Sequence, residues 1–354
     1  MARKILWASL FVLPPVSLLA HYAFGVGRVA DFLLAALALL PLAWVIGEAT
    51  EHAAEHTGPG IGGFLNASFG NAPELIIALI AVADGLRPVV RGTITGSVVS
   101  NLLLVLGIAL VVGPGDPGAR RIDRRSLLVQ LALVLGAVAA FLFTSVAALH
   151  GVRERHTLAV GSIPVAIVLL AVYVGVTVHG LRRHRRLYAE SGHVAEPGWT
   201  LASSLAVLGV ATLVTALVSE LLVHSLDAFA HTVGLSTFFT ATVIVAIVGN
   251  AAEHGGAVVI ASRGKYRLPS EIAVSSAAQV ALLVTPLVVL LSFPIGKPLG
   301  LVFRPVELVT MAGGAILVAL VVRDERVRRW EGFMLLAAYG GCVVAYWLAG
   351  DLPG

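Results

Sequence analysis

The sequence has 354 residues, of which 58% are hydrophobic and only 12% are charged, and its mean hydropathy is +0.94. A soluble domain carries about 25% charged residues, so this composition excludes an ordinary soluble protein. The net charge of +4 would suit a nucleic-acid partner. However, the basic residues gather at the ends of apolar stretches, where membrane topology explains them, and we predict no nucleic-acid partner.

The apolar stretches have about the 18 to 25 residues that cross a ~30 Å hydrocarbon core as a helix. The sequence lacks the ~10-residue runs of alternating polarity that are typical of membrane strands. It therefore predicts an all-α integral membrane protein with about eleven transmembrane helices. These predicted helices span 5–23, 29–50, 61–83, 88–112, 125–148, 157–180, 200–223, 234–261, 269–292, 302–322 and 331–349.

The distribution of Lys and Arg predicts the orientation of these helices. The first apolar run continues past the point where a signal peptide would be cleaved, so we interpret it as a retained helix. If the N-terminus lies inside, 17 of the 24 basic residues lie on the cytoplasmic side and 7 outside. This bias predicts a multi-pass protein of the cell membrane, embedded in the lipid bilayer, with a cytoplasmic N-terminus and an external C-terminus.

Two short segments repeat within the chain. Gly-Asn-Ala-Pro-Glu at 70–74 recurs as Gly-Asn-Ala-Ala-Glu at 249–253, an offset of 179 residues, and further matches at this offset continue to residue 105. Because each half then holds five helices, an odd number, the second half must enter the membrane in the opposite sense. This is the inverted repeat of many secondary transporters. The predicted units are a leading helix at 1–28, a first five-helix repeat at 29–180, a cytoplasmic linker at 181–198 and a second repeat at 199–354.

The repeated segments predict an ion site. Glu74 and Glu253 lie in otherwise apolar stretches, where a charge costs at least ~3 kcal/mol, so a function is expected of them. Asn71 and Asn250 precede the two Glu by three residues, which places amide and carboxylate on one helical face. Helix interruption at Gly and Pro also frees carbonyl oxygens. Oxygen ligands of this kind suit Ca²⁺, so we predict Asn71, Glu74, Asn250 and Glu253 as metal ligands.

Paired carboxylates also predict a transport mechanism. Two carboxylates balance a divalent charge, but they cannot both stay ionised close together in a low-dielectric interior once the cation leaves, so they take up protons. One site then carries either Ca²⁺ or protons, which suffices for antiport when access alternates. Ca²⁺ and H⁺ are thus transported partners, and we predict neither a resident cofactor nor an enzymatic activity.

Further polar residues are candidates for completing the site or the proton route. Hydroxyl groups in helices 4 and 9 could equally serve close helix packing. Gln279 needs a buried partner, and His254 could adjust the neighbouring carboxylate or the choice of ion. Glu51 and Glu220, at corresponding places in helices 2 and 7, are predicted proton-route or ion-entry groups. The supporting residues are Glu51, Glu220, His254, Gln279, Ser97, Ser100 and Ser276, with Asn101 and Ser275 in the same helices.

One motif favours an enzyme instead. His52-Ala53-Ala54-Glu55-His56 fits the H-x-x-E-H pattern of zinc peptidases, in which the two His bind zinc and the Glu acts as base. The motif is short and leaves the repeated segments unexplained. A membrane zinc peptidase that uses His52, Glu55 and His56 is therefore the remote alternative.

These residues carry a family resemblance. The stretches 49–81 and 96–107 closely resemble the first repeat of cation/proton exchangers of the CAX type, and 248–261 and 275–287 resemble the second. The resemblance implies the fold of the sodium/calcium exchangers, Ca²⁺ export driven by proton entry, ion-site roles for the four predicted ligands and supporting roles for His254 and Gln279. The repeated segments carry Asn-Ala where Na⁺-coupled relatives carry Thr-Ser, and this difference favours protons over Na⁺ as the coupling ion.

The chain departs from the family pattern in places, and some questions stay open. Gly255-Gly256 replaces Ala-Gly, and the segment between the repeats is basic where the family has an acidic stretch. An antiporter of Na⁺, K⁺ or Mn²⁺ that uses the same carboxylates is the first alternative. The sequence also leaves open whether the chain works as a monomer or a homo-oligomer.

Overall fold

The computed structural model describes residues 2–113, 122–149, 155–191 and 198–351. Within these ranges the chain is almost wholly helical and has no β-strand, so the all-α prediction is confirmed. The twelve helices of the described residues are α1 (Ala2–Tyr22), α2 (Arg28–Phe69), α3 (Ala72–Ala83), α4 (Arg87–Val112), α5 (Arg124–Leu149), α6 (Arg155–Ser191), α7 (Leu201–Val233), α8 (Thr237–Gly249), α9 (Ala251–Ser262), α10 (Arg267–Ser292), α11 (Pro305–Val321) and α12 (Arg329–Ala349).

Most of these helices are membrane spans. In the described part of the chain, eight are long and apolar enough to cross a bilayer, and α8 with α9, bent by 59° at their junction, would make a ninth. Large apolar side chains such as Phe143, Leu213 and Leu348 are 75%, 64% and 72% exposed, as expected of surfaces that face lipid. The chain is a multi-pass membrane protein, and the count of eleven crossings stays a prediction.

Three helices run well past their predicted ends. Helix α7 continues to Val233, beyond the predicted end at 223. The predicted loop at 51–60 is helical, because α2 continues to Phe69 and the chain breaks only at Gly70-Asn71. Backbone groups inside a bilayer must stay hydrogen-bonded, which favours a continuous helix through a segment whose composition alone suggests a loop. Helix α6 likewise runs to Ser191 and includes most of the predicted linker. The rest of that linker, 192–197, lies outside the described residues.

The same unit of structure occurs twice. A helix that begins after a Gly-Asn break is followed by a turn and a longer helix, first as α3–α4 and again as α9–α10. Gly85 and Gly264 make the two turns with φ of 74° and 81°, a left-handed conformation that glycine adopts without strain. Each longer helix contains a π-helical segment, Ser100–Val105 in α4 and Val280–Val284 in α10. Such segments are frequent at functional sites.

Helices α4 and α10 form the centre of the bundle. Of the residues in their most apolar windows, 83% and 72% are buried, against 22% in α6 and α12. Helix α4 crosses α8 at Gly92 and Gly96, the small-residue spacing that lets membrane helices approach closely. A Cβ at Gly96 would lie 1.9 Å from the carbonyl oxygen of Thr242. Backbone contact therefore joins the first half of the chain (α2–α6) to the second (α7–α12).

Candidate ion-binding site

The two helix breaks have nearly the same geometry. Asn71 (φ −100°, ψ 17°) and Asn250 (φ −88°, ψ 10°) are the N-cap residues of α3 and α9. Their carbonyls accept hydrogen bonds from the N–H groups of Leu75 and His254, at 3.1 and 3.0 Å. In both halves the Glu therefore lies in the first turn of a helix, where the positive end of the helix dipole favours a negative charge.

The asparagines of the two breaks bond to the opposite half. Asn71 Nδ2 donates to Gln279 Oε1 at 2.6 Å, which joins the first break to α10. Asn250 Nδ2 donates to Ser97 Oγ at 2.8 Å, which joins the second break to α4. Asn71, Ser97 and Asn250 are each 1% exposed, so the bonds lie inside the bundle. At each break a predicted ligand thus bonds to a predicted supporting residue of the opposite half.

Asn101 lies at the centre of this cluster, in the π-helical segment of α4. Its Nδ2 lies within hydrogen-bond distance of Asn250 Oδ1 (2.8 Å), Ser276 Oγ (3.1 Å) and the carbonyl oxygen of Ser97 (2.9 Å). Its Oδ1 is buried without a hydrogen-bond partner among the described residues. Its position in predicted helix 4 places Asn101 among the polar residues that could complete the site, but not among the predicted ligands. A large amide in a buried apolar helix was the available signal.

The two carboxylates approach the cluster from opposite breaks. Glu74 is 5% exposed and lies against Gly249, where an added Cβ would be 3.8 Å from Glu74 Oε1. Its Oε2 is buried and has no hydrogen-bond partner in the described structure. Glu253 Oε2 accepts a short hydrogen bond from Ser276 Oγ. Glu74 from the first break thus lies against the residue that precedes Asn250 at the second break. Such a group of oxygens has the chemistry of a site for a hard cation.

The other predicted supporting residues are less closely connected. His254 follows Glu253, and its Nε2 is buried without a partner among the described residues. Ser100 Oγ donates only to the carbonyl of Ser97 in its own helix, at 3.4 Å. Glu51 and Glu220 are exposed on α2 and α7, and no recorded contact between described residues links them to the cluster. Their place on a proton route stays a prediction.

The residues of the H-x-x-E-H motif make other contacts. His52 Nδ1 lies 3.0 Å from Glu55 Oε2, and the His52 ring stacks on Trp199 with 4.9 Å between ring centroids. His56 Nε2 lies 2.6 Å from the carbonyl oxygen of Trp199. No group of three or more His, Cys, Asp or Glu in the described part of the chain is arranged to hold a metal. The geometry gives the zinc interpretation no support.

A buried polar cluster between broken helices of two similar halves, inside a multi-pass bundle, is typical of secondary transporters. Comparison with known proteins gives the family. The sequence profile of the family described as sodium/calcium exchanger protein matches residues 29–181 and 203–348. The chain belongs to this family, and within it to the cation/proton exchangers.

Individual relatives match over almost the whole chain. A Ca(2+)/H(+) antiporter of Aphanothece halophytica is 36% identical over 95% of this chain and 95% of its own length. A Ca(2+)/H(+) antiporter of Synechocystis is 37% identical over 97% of each chain. The crystal structure of the Ca2+/H+ antiporter protein YfkE matches with a TM-score of 0.83 and 31% identity, covering 98% of this chain and 99% of the other. The predicted exchanger fold is confirmed.

Proposed function

We propose that this protein is a secondary active antiporter that exports Ca²⁺ from the cytoplasm in exchange for protons. The observation that supports the proposal is the approach of the two helix breaks. Glu74 lies against Gly249 of the second break, and Glu253 accepts a hydrogen bond from Ser276, which also contacts Asn101. Relatives that cover nearly the whole chain bear the name Ca(2+)/H(+) antiporter, which favours these two ions.

The proposed Ca²⁺ ligands are oxygens. Glu74 Oε2 and Asn101 Oδ1 are buried and accept no hydrogen bond from a described residue, so both are available to a cation. Glu253, held in orientation by its hydrogen bond from Ser276, would add a carboxylate oxygen, and the side-chain oxygens of Asn71 and Asn250 lie beside the two breaks. Ca²⁺ takes 6–8 oxygen ligands, and carbonyls at the interrupted helices or water would supply the remainder.

Proton coupling follows from the same carboxylates. With Ca²⁺ bound, Glu74 and Glu253 are ionised and balance its charge. When Ca²⁺ leaves, two neighbouring carboxylates, one buried and one partly buried, repel each other, and proton uptake removes that repulsion. Because the ion and the protons occupy the same oxygens, the site carries one or the other across the membrane. Ca²⁺ is cargo in this scheme, which needs no resident cofactor and involves no enzymatic step.

The direction of transport depends on topology and on a route for protons. We place the N-terminus in the cytoplasm and the C-terminus outside, because most Lys and Arg residues then lie at helix ends that face the cytoplasm. Glu51 and Glu220 are exposed titratable groups on α2 and α7, two helices that pack along each other. We assign them to the passage of protons or ions between the cluster and water.

Flux measurements in everted membrane vesicles test the proposal. An imposed gradient, acid inside, is expected to drive Ca²⁺ uptake that stops when a protonophore collapses the gradient. Parallel assays with Na⁺, K⁺ and Mn²⁺ separate the alternative cargoes that the same carboxylates could carry. Gradient-dependent uptake of one of these ions without uptake of Ca²⁺ would overturn the proposed cargo. If none of the ions moves, antiport itself would be wrong.

A further inference from the structure

Helix α8, which leads to the second break, begins as a new helix. Helix α2 reaches the first break without interruption, whereas α8 starts at Thr237 after a turn from α7. The first N–H groups of a helix have no carbonyl partner within that helix. The helix before the second break therefore needs hydrogen-bond acceptors from elsewhere at its start, a need that the helix before the first break does not have.

A carboxylate from a distant part of the chain supplies two of these acceptors. Asp351 follows the end of α12, and its two oxygens accept hydrogen bonds from the N–H groups of Thr237 at 2.7 Å and Phe238 at 2.8 Å. Ser236 Oγ accepts from the next N–H group, that of Phe239, at 3.0 Å. The helix dipole also favours a negative charge at this end of a helix. Asp351 therefore holds the start of α8 both by hydrogen bonds and by charge.

The residues next to this contact join the same three helices. Arg304, just before α11, donates a hydrogen bond to the carbonyl oxygen of Gly350 at 3.0 Å, and its guanidinium carbon lies 3.7 Å from the centroid of the Phe238 ring. Phe238 is fully buried and packs edge-on against Tyr346 of α12, with 5.9 Å between ring centroids. The start of α8 is thus fixed to the start of α11 and the end of α12.

The other end of α8 leads directly into the ion cluster. The helix is roughly 20 Å long, at about 1.5 Å per residue. It ends at Gly249, and the next residue, Asn250, donates to Ser97 and lies within hydrogen-bond distance of Asn101. The middle of α8, Thr240–Val245, is π-helical, and such irregular segments are frequent at functional sites. Because the chain is continuous through α8, the way its start is held affects the position of Asn250.

We propose that Asp351 is a positioning residue for the second half of the ion site. By fixing the start of α8, it keeps Asn250 in the orientation that bonds to Ser97 and Asn101 before a cation arrives. Without Asp351 the break is less ordered, and an ion that binds must also order it, which weakens binding. The inference rests on the proposed exchange of Ca²⁺ for protons, because it gives Asp351 a role in binding the transported ion.

Two measurements on Asp351→Ala test the assignment. Hydrogen exchange of the full chain in detergent, read by mass spectrometry of peptides that cover 234–249, should become faster because two N–H groups lose their acceptors. In everted vesicles, the Ca²⁺ concentration for half-maximal transport should rise about fivefold, the usual effect of replacing a helix cap by Ala, while the maximal rate stays the same. Asp351→Asn keeps an oxygen acceptor and should recover most of the affinity.

The chain provides a matched control in another exposed carboxylate. Asp324, between α11 and α12, lies 3.8 Å from Arg328, and Asp324→Ala should change neither the hydrogen exchange of 234–249 nor the Ca²⁺ dependence. Unchanged hydrogen exchange in Asp351→Ala would overturn the contact with α8. Faster hydrogen exchange with an unchanged Ca²⁺ dependence, or a loss that Asp324→Ala reproduces, would overturn the positioning role. A wild-type protein that transports no Ca²⁺ would contradict the proposed function itself, whereas hydrogen exchange would still test the contact.

Discussion

The two repeated segments give the two carboxylates different surroundings. At the first break Glu74 is almost fully buried, its Oε2 has no hydrogen-bond partner among the described residues, and Leu75 follows it. At the second break Glu253 is partly exposed, accepts a hydrogen bond from Ser276 and is followed by His254. Sequence symmetry therefore does not give equal sites. The first carboxylate is left available, whereas the second is held by a hydroxyl group.

This difference predicts a division of labour. A carboxylate with one buried oxygen that accepts no hydrogen bond gains most when a cation or a proton arrives, because less offsets the burial of that oxygen. A carboxylate that already accepts a hydrogen bond is held in one orientation before the ion binds. We expect Glu74 to provide most of the free energy of ion binding and Glu253 to fix the geometry. Substitutions at paired positions can test this.

The largest effect is expected at the carboxylates themselves. Glu74→Gln and Glu253→Gln each remove the charge that balances Ca²⁺ and the group that carries the proton, so each should lower exchange more than about 100-fold while the protein stays folded. Vesicle flux and thermal unfolding in detergent measure the two properties. Glu325→Gln, at an exposed position on a connecting segment, is the control. Retained exchange in either site variant would contradict a shared site.

The close crossing of α4 and α8 predicts the next largest effect. Gly96→Ala places a methyl group against the Thr242 backbone, so it should destabilise the protein by about 3 kcal/mol or more, the upper end for overpacking. Ser275 is the position that corresponds to Gly96 in the second half, and its hydroxyl bonds only within its own helix. Ser275→Ala should cost no more than about 1 kcal/mol.

Thermal unfolding in detergent measures both of these changes. Gly136→Ala on α5 adds the same methyl group where nothing lies within 4 Å, and it should raise the unfolding temperature slightly, because Ala favours a helix over Gly. Equal destabilisation by Gly96→Ala and Gly136→Ala would show that the close backbone contact between α4 and α8 does not contribute to the stability of the fold.

A smaller effect should separate the two serines of the cluster. Ser276 donates to a carboxylate, whereas Ser97 Oγ accepts from the neutral amide of Asn250. Hydrogen bonds to charged groups contribute about 1.5–3 kcal/mol and neutral ones about 1 kcal/mol. Ser276→Ala should therefore raise the Ca²⁺ concentration for half-maximal transport about tenfold, and Ser97→Ala at most about fivefold. The opposite order would show that Glu253 does not depend on its hydroxyl partner.

The smallest effect is expected from a substitution that makes the second break more like the first. His254→Leu places a leucine where Leu75 stands in the first half. Because His254 Nε2 is buried without a hydrogen bond to a described residue, its removal should stabilise the fold by about 1 kcal/mol. Exchange should fall a few-fold if the imidazole assists Glu253. A variant that loses stability would show that the histidine is held by contacts that outweigh its buried nitrogen.

Local patterns made much of this molecule predictable. Helical spans follow from apolar length, and the break at Gly70-Asn71 follows from residues that interrupt helices. The helix through 51–60 could not be predicted, because Gly, Pro and charged residues there favour a loop unless the bilayer keeps the backbone hydrogen-bonded. The central place of Asn101 depends on the π-helical segment that turns its amide towards α9. Apolar length and helix-breaking residues do not identify such a segment.

The hydrogen bonds that cross between the halves have a consequence for biogenesis. Asn71, Ser97 and Asn101 find side-chain partners on the second half, at Gln279, Asn250 and Ser276. The second break is synthesised 179 residues after the first, which takes roughly 10–40 s at 5–20 residues per second. During that interval the early helices hold these polar groups without their final partners. The nascent first half should therefore need shelter in the insertion machinery until the ribosome completes the second.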